Sequence, residues 1–435
     1  MSSKTRTSST TDTKKKKRKK RNPIPTIRTT VSDTSDPLAT QRQSEAPGLV
    51  LLCAVQWAAA VLVGIAAVFA ALDAREGRRA RPRADAGVPV DDGRRVSVIG
   101  PMRNEARNIR GWLDDIGAQG EIVGEIIISD DDSTDETLSI AYEAALSDAR
   151  VRVIEGAPPD GWVGKTSACE RAARVARGPW FLFSDADMRM ARGTIDVAIA
   201  AAEAYGADVC SLTATLECNT FLERVVMPTM ATVIMSAHPL SLIHDARSPV
   251  GLVWGGFLLV RRSAYFAVGG HAAVRGEIAE DRALAERFKA FGYRIRLFDG
   301  HDLIRVRMYQ GTREMWLGWR KNVYEGVRRN PIAASLFAVA QMATLVVPLP
   351  ALALLGLTRL TRRLRPLESK LAMYCAASAA GCVVTRTLRD RSIGANPLTA
   401  LGAPIAGAFI AGVMLAAAWR DLTGRGQVWK DRVIF

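Results

Sequence analysis

Histidine is scarce in this chain: His238, His244, His271 and His301 are all there are, and no two stand four residues apart. That spacing excludes a histidine zinc helix as a starting point. Cysteine is thin as well. Cys53, Cys169, Cys210, Cys218, Cys375 and Cys382 form no close pair, and three of them fall in apolar runs, so they read as buried free thiols in a reducing compartment rather than a disulfide framework. No GxGxxG follows the first candidate strand, which leaves a dinucleotide fold without support. Aromatics are missing from the one long basic run, Lys14 onward to Arg21, so a nucleic-acid partner is not expected.

Positive charge is what the chain has in excess, at a formal +15, but it is unevenly placed. Twelve Lys and Arg against four acids lie in residues 1–47, a Ser-, Thr- and Pro-rich stretch with too few large apolar side chains to order itself. It reads as a disordered basic tail suited to anionic lipid headgroups. Residues 48–72 are apolar except for Gln56 and long enough to cross a bilayer as a helix. They lie too deep behind a hydrophilic tail for an ordinary cleavable signal peptide. Residues 73–95 form an Arg-, Pro- and Gly-rich linker.

Residues 331–420 carry further apolar stretches at 332–357, 371–384 and 398–419, and a tail follows over 421–435. Pro348 and Pro350 interrupt the first stretch, and the second is short for a span. Two or three spans here give three or four in all. A multi-pass protein of the cell membrane is expected, with residues 96–325 on the cytoplasmic side, where basic loops tend to lie.

Between these segments, β-rich runs at 96–99, 125–129, 151–154 and 180–184 alternate with helical spacing at Ala106, Ile109, Leu113 and Ile116, and again at Leu138, Ala141, Tyr142 and Ala145. Alternation of that kind implies a parallel sheet covered by helices. Ser133, Thr134 and Asp135 offer a cap to the second helix.

Acids gather where these strands end, the place where open α/β sheets bind ligands. Asp130-Asp131-Asp132 is either a solvated turn or a set of carboxylates awaiting a cation or donors. Asp185-Ala186-Asp187 closes an apolar strand, and alternate residues there can reach one Mg²⁺ or Mn²⁺ bridging two phosphates. Glu280-Asp281 opens a helix in which Leu284, Phe288 and Phe291 are spaced for packing, with Gly292 as its C-cap. These two acids serve either the helix dipole or, at Asp281, a general base. Lys165, on a Gly-containing loop before a helix, suits a phosphate. Arg103, Asn104 and Glu105 line a nucleotide pocket or simply start a surface helix. Trp316, Trp319, Arg320 and Lys321, with Arg307 and Tyr309, frame the site or form an interfacial belt.

The ordered set Arg103-Asn104-Glu105, Asp130-Asp131 with Ser133-Thr134-Asp135, Asp185-Ala186-Asp187 and Glu280-Asp281 resembles family 2 glycosyltransferases. Gly161-Trp162-Val163-Gly164-Lys165, Gly269-Gly270-His271, Gly318-Trp319-Arg320-Lys321-Asn322 and Val428-Trp429-Lys430-Asp431-Arg432 are similar to a membrane-bound branch that includes carotenoid-acid glucosyltransferases and hopanoid-associated relatives. The resemblance implies a GT-A fold, a Rossmann-like mixed α/β sheet with flanking helices, over residues 96–325, with transmembrane helices at both ends. It implies an inverting hexosyltransferase that takes a nucleoside-diphosphate sugar, UDP-linked by preference, to a lipid or carotenoid-like acceptor. Asp281 would be the base with Glu280 beside it, Asp185 and Asp187 the metal ligands, and Asp131 the nucleobase contact. Pro101, Arg103, Asn104, Glu105, Lys165, Asp185 and Arg320 would complete the donor pocket. Asp132 departs from the family's glycine, and the QxxRW of processive enzymes is absent, with Trp319-Arg320 a partial echo. A processive polysaccharide synthase and a catalytically silent membrane scaffold are the alternative readings.

Overall fold

The computed structural model describes residues 47–79, 95–429 and 432–434. The basic tail over 1–46 and most of the linker, both subjects of expectations above, lie outside the described residues.

Helix α1 (Pro47–Arg79) precedes the sheet-bearing part. Strands β1 (Val96–Met102), β2 (Val123–Asp130), β3 (Val151–Glu155) and β4 (Trp180–Ser184) follow, separated by helices α2 (Ala106–Gly117), α3 (Thr137–Ser147) and α4 (Gly164–Val175). Then come β5 (Met188–Met190), α5 (Thr194–Ala204), β6 (Val209–Thr213), β7 (Thr215–Leu216), α6 (Phe221–Ala237) and α7 (Leu240–His244). The remaining elements of this part are β8 (Phe257–Arg261), α8 (Arg262–Ala267), α9 (Glu280–Ala290), β9 (Ile295–Asp299), β10 (Ile304–Val306) and α10 (Thr312–Gly326).

Strand β4, Trp-Phe-Leu-Phe-Ser, is buried at every position, which only a sheet covered on both faces allows. Its side chains alternate accordingly. Trp180 and Leu182 join Ile109, Trp112, Ile116 and Ile195 on one face, while Phe181 and Phe183 join Ile99, Ile127, Tyr265, Leu284 and Phe288 on the other. The sheet order is β3-β2-β1-β4-β8-β6-β9. It is mixed, as the resemblance implied, and not wholly parallel as the β-α alternation alone suggested: β8 runs antiparallel to both β4 and β6. The alternation rule holds through β6, which runs in the same direction as β4. After it the chain makes a long excursion through α6 and α7, and β8 then inserts between β4 and β6 in the opposite direction. A small sheet β5-β10-β7 lies apart from the main one. Its strands of two or three residues are too short to leave a period in the sequence.

Asp135 caps two helices rather than one, accepting from Thr137 N at 3.0 Å and from Ala106 N at 3.1 Å. Burial works to raise its pKa, and these bonds with that from the Thr137 hydroxyl outweigh it and hold the carboxyl low. Phe291, expected to pack, is instead exposed, with the Arg287 guanidinium 5.6 Å from its ring; Gly292 beyond it has the left-handed φ of 80° that ends the helix.

The C-terminal part holds α11 (Pro331–Gln341), α12 (Pro348–Thr361), α13 (Pro366–Asp390) and α14 (Ala403–Leu422), then a hairpin of β11 (Gln427–Trp429) and β12 (Arg432–Ile434). The stretch expected to be short, 371–384, is the middle of a 25-residue helix whose polar ends hid its length. Pro348 marks a 45° bend between α11 and α12. Among the described residues three helices are long and apolar enough to cross a membrane, or up to four if the bent pair is one span. Leu51, Trp57, Leu62 and Val68 of α1 are exposed, as lipid-facing side chains are. All six cysteines are free, five buried and Cys218 half-buried.

Candidate active site

Register brings distant acids to one edge. β1 pairs Pro101 with Ser129 of β2 and Ile99 with Phe183 of β4, so Pro101, Asp131 and Asp185 leave the sheet at the same carboxyl end. β8 pairs Phe257 with Ser184 in the opposite sense. Gly255 and Gly256, just before it, therefore arrive at this edge from the other direction.

Lys165 ties the acids together. Its ammonium lies 2.8 Å from Asp185 Oδ1 and 2.8 Å from Glu280 Oε1. The phosphate-loop expectation is corrected in one respect: Lys165 sits in the first turn of α4 and already bridges two carboxylates, as a poorly hydrated ammonium must. Burial alone would lower its pKa, and the charges of Asp185 and Glu280 overturn that and hold it well above the ordinary value.

Asp281 is next in line. Its Oδ2 accepts from Gly255 N at 3.2 Å and its Oδ1 from Arg282 N at 2.7 Å. Burial, then the neighbouring Glu280 charge, push its carboxyl up to about 6, with Lys165 pulling the other way. A carboxylate poised there can take a proton near neutral pH. The close approach favours glycine at 255. A Cβ would stand 3.2 Å from Asp281 Oδ2 and 3.3 Å from Glu280 Oε1. This Gly-Gly pair escaped the sequence reading, although a Gly-Gly step directly before the apolar run Phe-Leu-Leu-Val was the available signal.

Asp187 is half-buried and faces Tyr309, whose phenol is pushed up by burial and then by the Asp187 charge. Among the described residues no group of three or more His, Cys, Asp or Glu is gathered for a metal. Asp185, both of whose oxygens meet the Lys165 ammonium at 2.8 and 3.0 Å, and Asp187 are hard oxygen donors of the kind Mg²⁺ or Mn²⁺ takes, with water and phosphate oxygens as its further ligands.

The loops after β1 and β2 are laced together. Arg103 Nη1 donates to the carbonyl of Asp131 at 2.6 Å and of Asp132 at 3.1 Å, and Asn104 Oδ1 accepts from Thr134 N at 2.8 Å. Glu105 N donates to Thr137 Oγ1 at 2.7 Å. Asp131 is buried between them. Asp132 has a φ of 58°, the left-handed region that glycine prefers and Asp tolerates better than most residues. That accounts physically for both the family's glycine and its replacement here. Arg320 is buried beside Arg420, whose charge, after burial, lowers its pKa.

Behind the cluster, Tyr265 OH donates to Glu170 Oε2 at 3.1 Å and accepts from His271 N at 3.0 Å. Burial and Lys165 push the His271 imidazole down to about 3, so it is a neutral strut and not a proton carrier.

An α/β domain with a carboxylate- and lysine-lined edge is the class this geometry defines. Residues 97–266 match the family described as Glycosyl transferase family 2, and the chain carries a domain of that family. A curated relative, the 4,4'-diaponeurosporenoate glycosyltransferase of Staphylococcus aureus strain MRSA252, is 27% identical over 237 residues, 53% of this chain and 61% of the relative. The chain therefore spans about three-fifths of that protein's length. Among solved structures, a mannosyltransferase from Pyrobaculum calidifontis in complex with GDP-Man and Mn²⁺ aligns with a TM-score of 0.45 at 19% identity, covering 85% of this chain and 99% of that one. A glucosyl-3-phosphoglycerate synthase from Mycobacterium tuberculosis with Mn²⁺, uridine diphosphate and glucosyl-3-phosphoglycerate aligns at 0.33 and 19% identity, over 49% of this chain and 71% of that one.

Proposed function

We propose that this chain is an inverting glycosyltransferase that moves a sugar from a nucleoside-diphosphate donor, UDP-linked by preference, to a lipid-like acceptor at the membrane. The observation that carries the reading is the convergence of Asp185, Lys165, Glu280 and Asp281 around Gly255, with Asp281 poised near neutrality. In this reading residues 96–325 are the catalytic domain, cytoplasmic and held by membrane helices on both sides. A carotenoid-acid relative supports a lipid-like acceptor, and the apolar exposed helices support its delivery from the bilayer.

Asp131 and the Arg103–Glu105 loop receive the nucleoside. Asp185 and Asp187 would hold Mg²⁺ or Mn²⁺, which when bound would neutralise the charge building on the diphosphate leaving group. Lys165 adds a fixed positive charge at the same place without needing to move far. Asp281 accepts the acceptor's proton as that oxygen attacks the sugar carbon from the face opposite the diphosphate; one base suffices for inversion. Glu280 keeps Lys165 in position and keeps the Asp281 pKa high.

The test is incubation of the purified protein with a panel of nucleotide sugars, Mg²⁺ or Mn²⁺, and extracted lipid, reading released nucleoside diphosphate and the mass of the product. Single addition to a lipid is expected, and a product many sugars long would favour the polysaccharide-synthase reading. Asp281→Asn separates acceptor classes: a carboxylic acid is already ionised near neutral pH, so the substitution costs less than for a hydroxyl acceptor, where about 10²- to 10⁴-fold is expected.

A further inference from the structure

By length and apolarity α14 qualifies as a membrane span, yet its surroundings contradict a crossing. Its first residues lie on α6: a Cβ at Gly402 would stand 2.7 Å from the Val225 side chain, and Ala406, Ile410 and Val413 pack with Val226, Met227 and Met230. Its middle lies on α10, with the Phe409 and Trp316 ring centroids 5.2 Å apart. Its end lies on α10 again, where Tyr324 OH donates to Asp421 Oδ2 at 2.9 Å. The contacts advance together along both chains, so the two helices run side by side in the same direction.

Helix α10 cannot be the wall of a crossing. It carries Arg313, Glu314, Arg320, Lys321 and Glu325 within fifteen residues, too many charges for a bilayer core. Its end is fastened to the base-bearing helix, with Arg282 Nη1 donating to Gly326 O at 3.3 Å. A helix of twenty residues is about 30 Å long, the thickness of the hydrocarbon. Both ends of α14 would have to lie on opposite membrane faces if it crossed, and both rest on the catalytic domain.

The exposed side of α14 is an apolar stripe. Leu401 just before the helix and Ile405, Ala408, Leu415, Trp419 and Leu422 on it are all exposed and follow one another at three, four or seven residues, while the opposite side is packed against protein. The packed side of α14 is itself apolar, and the charges lie on α10 beneath it, so the pair together presents an apolar outer face over a charged layer, as suits the membrane interface. The packed side of its second half meets the start of α11, where Ala334 and Ala338 cluster with Ala411, Met414, Ala417 and Ala418.

We propose that α14 lies in the plane of the membrane as a lipid-facing anchor under the catalytic domain, and that the chain crosses three times: at α1, at the bent α11–α12 pair and at α13. The ends of the true spans agree. Asp73 near the end of α1 meets Arg389 near the end of α13 at 3.0 Å, on the domain side, and Asp73 also accepts from Leu240 N at 2.8 Å. At the other pole Cys53 donates to Leu367 O at 3.4 Å. Residue 47 and the 362–365 loop then share the far side, while the domain and the tail after α14 share the near side.

Single cysteines at exposed positions test this in the full chain: Leu146→Cys on the catalytic domain, Arg363→Cys in the 362–365 loop and Thr423→Cys after α14. Each is treated with a membrane-impermeant maleimide in right-side-out and in inverted vesicles, with the unaltered protein as background for Cys218. Cysteines 146 and 423 are expected to label in one vesicle orientation and cysteine 363 in the other. Labelling of 423 together with 363 overturns the proposal, as does labelling of all three from one side. Protease sensitivity of epitopes fused after residue 435 reads the same side if a variant is not produced.

Discussion

Replacing Asp281 by Asn should make the protein more stable at alkaline pH while disabling it. The folded carboxyl titrates at about 6 instead of 3.8, so the native state prefers it protonated. A group with a raised folded pKa contributes its stabilisation below about pH 4, and that contribution is lost as pH rises through about 6. At pH 8 the ionised carboxylate therefore weighs against folding by at most about 3 kcal/mol, from about 1.4 kcal/mol per pKa unit. Asp281 is only half-buried, and solvent screening brings this down to about 1–2 kcal/mol. Asn fills the same space and can still accept from Gly255 N through its amide oxygen, so most of that should be recovered. In detergent or nanodiscs, intrinsic-fluorescence melting should show the variant unfolding a few degrees higher than the parent at pH 8, about 1–4 °C, with the gap shrinking to about a third of that at pH 4.5. A variant that melts lower at pH 8, or by the same offset at both pH values, refutes the environment assigned to Asp281.

The same titration sets an acid limb in kcat/KM near pH 6, and Glu280→Gln should move it downward by removing the neighbouring negative charge; an unmoved limb would assign it to another group. Asp187→Asn should abolish metal-dependent nucleoside-diphosphate release, about 10²-fold or more, and weaken Mn²⁺ binding read by electron paramagnetic resonance. Gly255→Ala should lower kcat with little change in nucleotide affinity, because its methyl meets Asp281 and Glu280 but not the β1 and β2 loops; equal losses in kcat and affinity would count against that. Arg389→Ala leaves Asp73 buried without its ionic partner and should cost about 3–5 kcal/mol, seen as a markedly lower melting point.

Much of this was legible in residue order. Four strands that end at Met102, Asp130, Glu155 and Ser184 announced themselves because buried parallel strands are apolar runs, and the acids following two of them were conspicuous by contrast. Long-range events were not legible. Nothing local in Trp254-Gly255-Gly256 says that its strand enters the sheet backwards and delivers two glycines to acids seventy residues upstream and twenty-five downstream. Lys165 was visible as a cation near a ligand loop, but its partners Asp185 and Glu280 are set by tertiary packing. Apolarity and length give α14 the character of a span, but composition records that a helix avoids water and not whether lipid or protein covers each side.

Isothermal titration of a nucleoside diphosphate into the purified full-length protein, with and without Mn²⁺, tests the central claim most directly. Metal-dependent binding is expected, lost when Asp187 is replaced by Asn, weakened when Asp131 is replaced by Asn, and retained with Asp281→Asn. No binding by the parent protein, or binding indifferent to both Asp131 and Asp187, would mean that the acids at this edge do not form one donor site.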